Sequence, residues 1–189
     1  PKYTSEVTAF NELFADSVKL IVATRSLTDE EIQSLQANNL YPKVSKIAID
    51  GVALITNRNN PDSLVTLDQL RDIFTGKITK WNQLNPKSRM GDLEVDNTNS
   101  STVRYVIENI NKGQELTGNI KATHDNEGVI DYVSKVPNAI GVIGSNWIGN
   151  QSDTTNLSFN DLIQVMLVSA DPIAFNGNSY QPFQAYLAM

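Results

Sequence analysis

The chain has 189 residues, with 15 Lys+Arg against 21 Asp+Glu and a net charge of −6. That length can bury a core without covalent staples, and 40% apolar with 19% charged residues is globular composition rather than that of a disordered chain. With no cysteine and one histidine, His124, disulfide frameworks, thiolate zinc sites, thiol nucleophiles and multi-histidine metal sites are excluded, and the acidic balance without any Lys/Arg cluster excludes a nucleic-acid surface.

Short apolar runs alternate with helical patterns, the α/β signature, and length alone allows one or two domains. Residues 5–16 predict a helix with Val7, Phe10, Leu13 and Phe14 on one face. Residues 19–25 are β-branched and apolar and predict a strand. Thr28 and Glu31 are spaced as a capping box, with a helix following to about Asn38. Residues 46–57 predict a long strand region bent at Asp50-Gly51. After a turn at 59–62, Thr66 caps a helix with the stripe Leu67, Leu70, Ile73 and Phe74, stopped by Gly76. A short strand at 93–95 precedes a helix over 99–111, a helix over 126–136 ends before Pro137, and 139–143 and 162–168 predict strands. Residues 180–189 predict a last helix. No apolar run approaches the ~18 residues of a transmembrane helix. The chain opens on Pro1 rather than Met, and is expected to be a piece of something longer.

The most informative local stretch is Asp96-Asn97-Thr98-Asn99-Ser100-Ser101-Thr102. A strand ends, small hydroxyl and amide residues follow, and a helix begins at once. The first N–H groups of a helix have no internal partner and carry the positive end of its dipole. Together with the Ser and Thr hydroxyls they form an anion site. Plain N-capping by Asn99 or Ser100 is the alternative. Thr24 and Arg25 follow a predicted strand and precede a capped helix, which places them at a carboxyl end of a sheet, where ligands bind. A guanidinium there grips an oxyanion bidentately, or it pairs on the surface with Asp29 or Glu30. Asp50 reads as a turn or hinge residue, Trp81 and Trp147 as packing residues, and His124 as exposed.

Several blocks then occur in one order across residues 20–148. They are Ala23-Thr24-Arg25-Ser26-Leu27 with Glu30-Glu31; Asp50-Gly51 running apolar to Asn57; residues 67–81, of the pattern L-x-x-I-F-x-G-K-I-x-x-W; the Ser100-Ser101-Thr102 loop; Asn126-Glu127-Gly128; and residues 136–142. In this the chain resembles the substrate-binding proteins of bacterial ABC phosphate transporters, of the type II periplasmic-binding-protein superfamily. The resemblance implies two α/β lobes with mixed sheets joined by a hinge, the first lobe incomplete: 1–50 part of lobe 1, 51–148 lobe 2, and 149–189 the return to lobe 1. It implies a non-enzymatic, extracytoplasmic binder of inorganic phosphate or a related oxyanion, held by Thr24, Arg25, Asn99, Ser100, Ser101 and Thr102. The partner would be an ABC permease, with no metal and no cofactor. The protein would be a monomer, periplasmic or extracellular, with a lipid anchor as a further expectation.

Three departures bear on this expectation. Residues 1–18 lack the family's Gly- and Ser/Thr-rich loop, Ser101 stands where the family has Gly, and Asp96-Asn97-Thr98 replaces a stretch where phosphate binders carry Arg. Two other readings therefore stand beside transport: a module that keeps the fold without anion binding, and an enzyme acting on a phosphoester.

Overall fold

A computed structural model describes residues 1–49, 51–92, 94–98, 101–123, 125–148 and 161–181, with only the backbone of 96–98, 122 and 123. The expectations at Asp50, Leu93, Asn99, Ser100, His124, residues 149–160 of the return to lobe 1 and residues 182–189 of the last helix lie outside the described residues, while Tyr180, where that helix is expected to start, instead forms an antiparallel bridge with Val168. The chain divides into two compact units, Pro1–Ala48 and Ile49–Met189.

In the first unit, helix α1 (Glu6–Phe14) starts at Ser5, whose hydroxyl accepts from the Thr8 N–H, and buries Phe10. Helix α2 (Asp29–Ala37) carries the expected capping box: Thr28 accepts from the Glu31 N–H, and Glu31 reaches back to the Thr28 N–H. The strand expected at 19–25 does not form. A β-prone sequence becomes a strand only when another strand offers a ladder, and none does among the described residues of this unit. The Thr24 N–H bonds the Glu6 carboxylate instead. Leu20 and Val22 are left 82% and 72% exposed.

The second unit holds the sheet. Its elements are β1 (Val52–Asn57), β2 (Leu64–Thr66), α3 (Leu67–Phe74), α4 (Trp81–Leu84), β3 (Glu94–Thr98), α5 (Ser101–Tyr105), β4 (Ile120–Thr123), α6 (Asn126–Lys135), β5 (Ala139–Gly144), β6 (Ile163–Val165) and β7 (Leu167–Ser169). Helix α5 runs directly into a π-helical turn, Val106–Ile110. Helix α3 has the expected Thr66–Gln69 capping, and Gly76 follows it at φ +74°, a left-handed angle that suits glycine. The strand region expected over 46–57 begins only at Val52, again where a ladder begins.

Five strands form one mixed sheet in the order β4-β3-β5-β1-β6. β3 runs parallel to β4 and β5, while β1 runs antiparallel to β5 and β6. Side chains alternate across a strand, and both faces are covered, so the strands read as continuous apolar runs. Leu54, Ile140 and Val142 face one way, into a core with Leu70, Phe74, Val106 and Ile110. Ala53, Ile55, Ala139 and Ile143 face the other way, into a core with Val129, Ile130 and Val133 of α6.

Two strand expectations are corrected. The strand expected to end at 95 continues to Thr98, because β4 pairs with it as far as Thr98 and β5 as far as Asn97. The strand expected over 162–168 is two strands separated by the buried Met166. β6 pairs with β1, and β7 pairs in parallel with β2. β6 and β7, from the stretch expected to return to the first lobe, thus pair within the second unit.

Candidate functional site

Ladder register decides where a ligand can sit. β3, β4 and β5 are parallel, so their carboxyl ends lie at one edge of the sheet. From β3 the chain passes through α5 and the π-helical turn, which pack on one face, to reach β4. From β4 it passes through α6, packed on the opposite face, to reach β5. The connections leaving the neighbouring strands β3 and β4 therefore diverge to opposite faces. Such a switch point opens a crevice outside the carboxyl ends of the strands, where ligands of open α/β sheets bind.

Two helix N-termini begin at this crevice. α5 starts at Ser101, which is partly exposed, with Thr102 buried. α6 starts at Asn126 and is capped by Asp125, whose carboxylate accepts from the Gly128 N–H at 2.8 Å. Asn126 ties this end to β5: its Oδ1 accepts from the Gly144 N–H. The Ser145 N–H bonds the Gly51 carbonyl, bringing the start of β1 to the same edge. Of the expected ligand residues, Ser101 and Thr102 thus lie at the switch point. Asp125 and Asn126 were not among the residues expected there. The signal was present as an Asp three residues before a Gly at a helix start, but its meaning depends on β4 standing before it.

Thr24 and Arg25 lie in the first unit and are engaged there. The Thr24 hydroxyl and N–H both donate to Glu6 Oε1, at 2.9 and 3.0 Å. Arg25 binds Glu31 through two N–H donors, at 2.7 and 2.8 Å, and donates to the Ser26 carbonyl. Its guanidinium carbon lies 3.7 Å from the Phe10 ring centroid. The carboxylate partner is Glu31, rather than the Asp29 or Glu30 considered from sequence. Hydrogen bonding to Arg25, with help from the Thr28 N–H, holds the Glu31 carboxyl below its usual range despite partial burial. Arg104 pairs with Glu108 one turn along, at 3.8 Å.

Among the described residues, no group of three His, Asp or Glu is placed to hold a metal ion. No helix among them is long and apolar enough to cross a membrane. Among the described residues, the crevice offers the N–H and O–H donors at the start of α5 and the Asp125 cap of α6.

A family model described as "PBP superfamily domain" matches residues 2–188. The phosphate-binding protein PstS of Staphylococcus aureus (strain USA300) is 33% identical over 149 residues, covering 76% of this chain and 44% of that protein. The chain therefore spans less than half the length of that curated relative. A solved "Phosphate ABC Transporter Substrate-Binding Protein with Bound Phosphate" from Clostridium perfringens is similar at TM-score 0.65 and 30% identity, over 88% of this chain and 62% of that one. An ABC-type phosphate transport receptor from Vibrio cholerae matches at TM-score 0.59 and 22% identity, over 88% of this chain and 64% of that one, a likeness of fold alone.

Proposed function

The chain belongs to the PBP superfamily and has its type II binding-protein fold, and from that membership we propose that it is the ligand-holding part of a non-enzymatic solute-binding protein for an inorganic oxyanion. The ligand is phosphate, delivered outside the cytoplasm to the permease of an ABC importer, with the binding protein acting as a monomer. The observation that carries this reading is the switch point at the ends of β3 and β4, where a helix opens on Ser101 and Thr102. The phosphate named for the Staphylococcus relative and for the Clostridium structure supports it.

The mechanism needs no covalent step. An oxyanion gives up hydration, and N–H and O–H donors at the start of α5 replace it, with the helix dipole favouring the charge. Asn99 and Ser100 complete the donor stretch with Ser101 and Thr102. Preference over sulfate rests on an acceptor for the proton that monohydrogen phosphate retains and sulfate lacks, a role for which the sequence offers Asp96. A net charge of −6 does not oppose this, because contacts act at a few ångströms while distant charges are screened over about 8–10 Å. Thr24 and Arg25 take the role of holding α1 and α2 through Glu6 and Glu31.

The test is a thermal-shift series on the full-length protein. Phosphate in about hundredfold excess over its Kd adds about 2.7 kcal/mol of stability, so the melting temperature rises with phosphate and less with sulfate. No rise with either anion favours the module that keeps the fold without binding anion.

A further inference from the structure

A cavity of about 440 Å³ lies in the second unit, well away from the switch point. It is lined by Asp62, Trp81, Leu84, Pro86, Ile173 and Ala174 among others. The Trp81 indole N–H donates to the Asn138 carbonyl, which also accepts from the Glu94 N–H, so Trp81 stands at the amino end of β3. The anion loop follows the carboxyl end of that five-residue strand, about 15 Å further along.

The chemistry of this cavity is distinctive. Asp62 is only 9% exposed, and its carboxylate accepts from the Asn85 amide and the Ser88 hydroxyl, both neutral donors. Among the described residues no cation pairs with it, although Lys87 and Arg89 flank Ser88 and are exposed. Buried carboxylates favour a cationic partner, and both oxygens keep acceptor capacity beyond one bond each. The same cavity is walled by Leu84, Pro86, Ile173 and Ala174, with the core-buried Trp81 behind them. The combination fits a planar, weakly hydrated cation on an apolar stem, whose donors pair with carboxylates in a fork. The volume admits such a group with its stem and leaves room for solvent around it.

We propose that this cavity is a second binding site, for an alkylguanidinium group, independent of the oxyanion site. Two sources share that chemistry: an arginine side chain of a partner polypeptide, and a free small guanidinium solute.

The experiment titrates the protein with a capped Gly-Arg-Gly peptide and, separately, with methylguanidinium. The readouts are the backbone amide shifts of Ser63, Leu84 and Ala174 and the Trp81 indole signal. Saturable shifts with the peptide alone assign the site to a partner's arginine, and saturation with both probes or with methylguanidinium alone assigns it to a small solute. In either case Asp62→Asn raises Kd about tenfold or more, and a citrulline peptide of equal shape binds about tenfold more weakly than its arginine counterpart. Ala174→Trp, which sets a bulky ring in the cavity wall without changing Asp62, Asn85 or Ser88, weakens binding about tenfold or more and serves if Asp62→Asn does not fold. Phosphate affinity is unchanged in both variants. Failure of both probes to saturate overturns the proposal, as does an Ala174→Trp Kd within about twofold of the parent.

Discussion

Ser101 and Thr102 differ in exposure but share one expected role. Both stand in the first turn after β3, but Thr102 is buried while Ser101 is partly exposed. Removing one hydroxyl donor to a charged ligand costs about 1.5–3 kcal/mol. We therefore expect Ser101→Ala and Thr102→Ala each to weaken phosphate binding about tenfold or more, measured by calorimetry. Unchanged affinity in both would place the anion elsewhere. Arg25 makes a different prediction. Its two bonds to Glu31 and its stacking on Phe10 join α1 to α2. Arg25→Ala should lower stability by about 1–3 kcal/mol in denaturant unfolding. Phosphate affinity should change by less than about twofold if the residue's role is to hold α1 and α2.

Helix α6 and strand β1 close tightly on β5 at Gly141. A Cβ added at Gly141 would meet Val129 Cγ1 at 2.7 Å and Ile55 Cγ1 and Val133 Cγ2 at 2.8 Å. These are buried branched side chains with little room to shift. Gly141→Ala should destabilise the protein by about 1–3 kcal/mol through overpacking, read from the shift in denaturant midpoint. Elements with strong local signals are legible in the amino-acid sequence: the capping boxes at Thr28 and Thr66, the buried run of β5, and the Pro137 stop after α6. β4 is not legible there. It has four residues, two of them polar, and lies at the sheet edge with β3 as its one partner among the described strands. The 19–25 stretch fails in the opposite way, since its composition is right for a strand but ladder partners are a property of the fold. The site follows the same division. Ser101 and Thr102 can be named from a strand–hydroxyl–helix pattern, whereas the switch point requires β4 and the direction of two crossovers.

For the whole molecule, acid stability rests on carboxylates held ionised by their partners. Glu94 is kept below its usual range first by its hydrogen bond to Lys121, then by that to Tyr132; Arg25 does the same for Glu31. A carboxyl whose folded pKa is depressed contributes stability in full above its unfolded value. That contribution is lost as pH falls through the folded one. Stability should thus hold above about pH 4.5 and fall below it. Glu94→Gln should flatten that acid limb in unfolding curves followed from pH 6 to pH 3, and an identical pH slope would contradict the assignment. On the alkaline side, Lys121 and Tyr132 are both raised, Lys121 chiefly by its bond to Glu94 and Tyr132 chiefly by desolvation. Their contribution is complete below about pH 10 and is lost above it. These groups set the pH window of the scaffold, while the N–H and O–H donors after β3 carry the proposed function. The most direct test is titration calorimetry of phosphate into the full-length protein, with sulfate as the comparison. The account predicts saturable phosphate binding, tighter than sulfate, that weakens about tenfold or more in Ser101→Ala and Thr102→Ala. No heat from either anion, or phosphate affinity untouched by both substitutions, would contradict it.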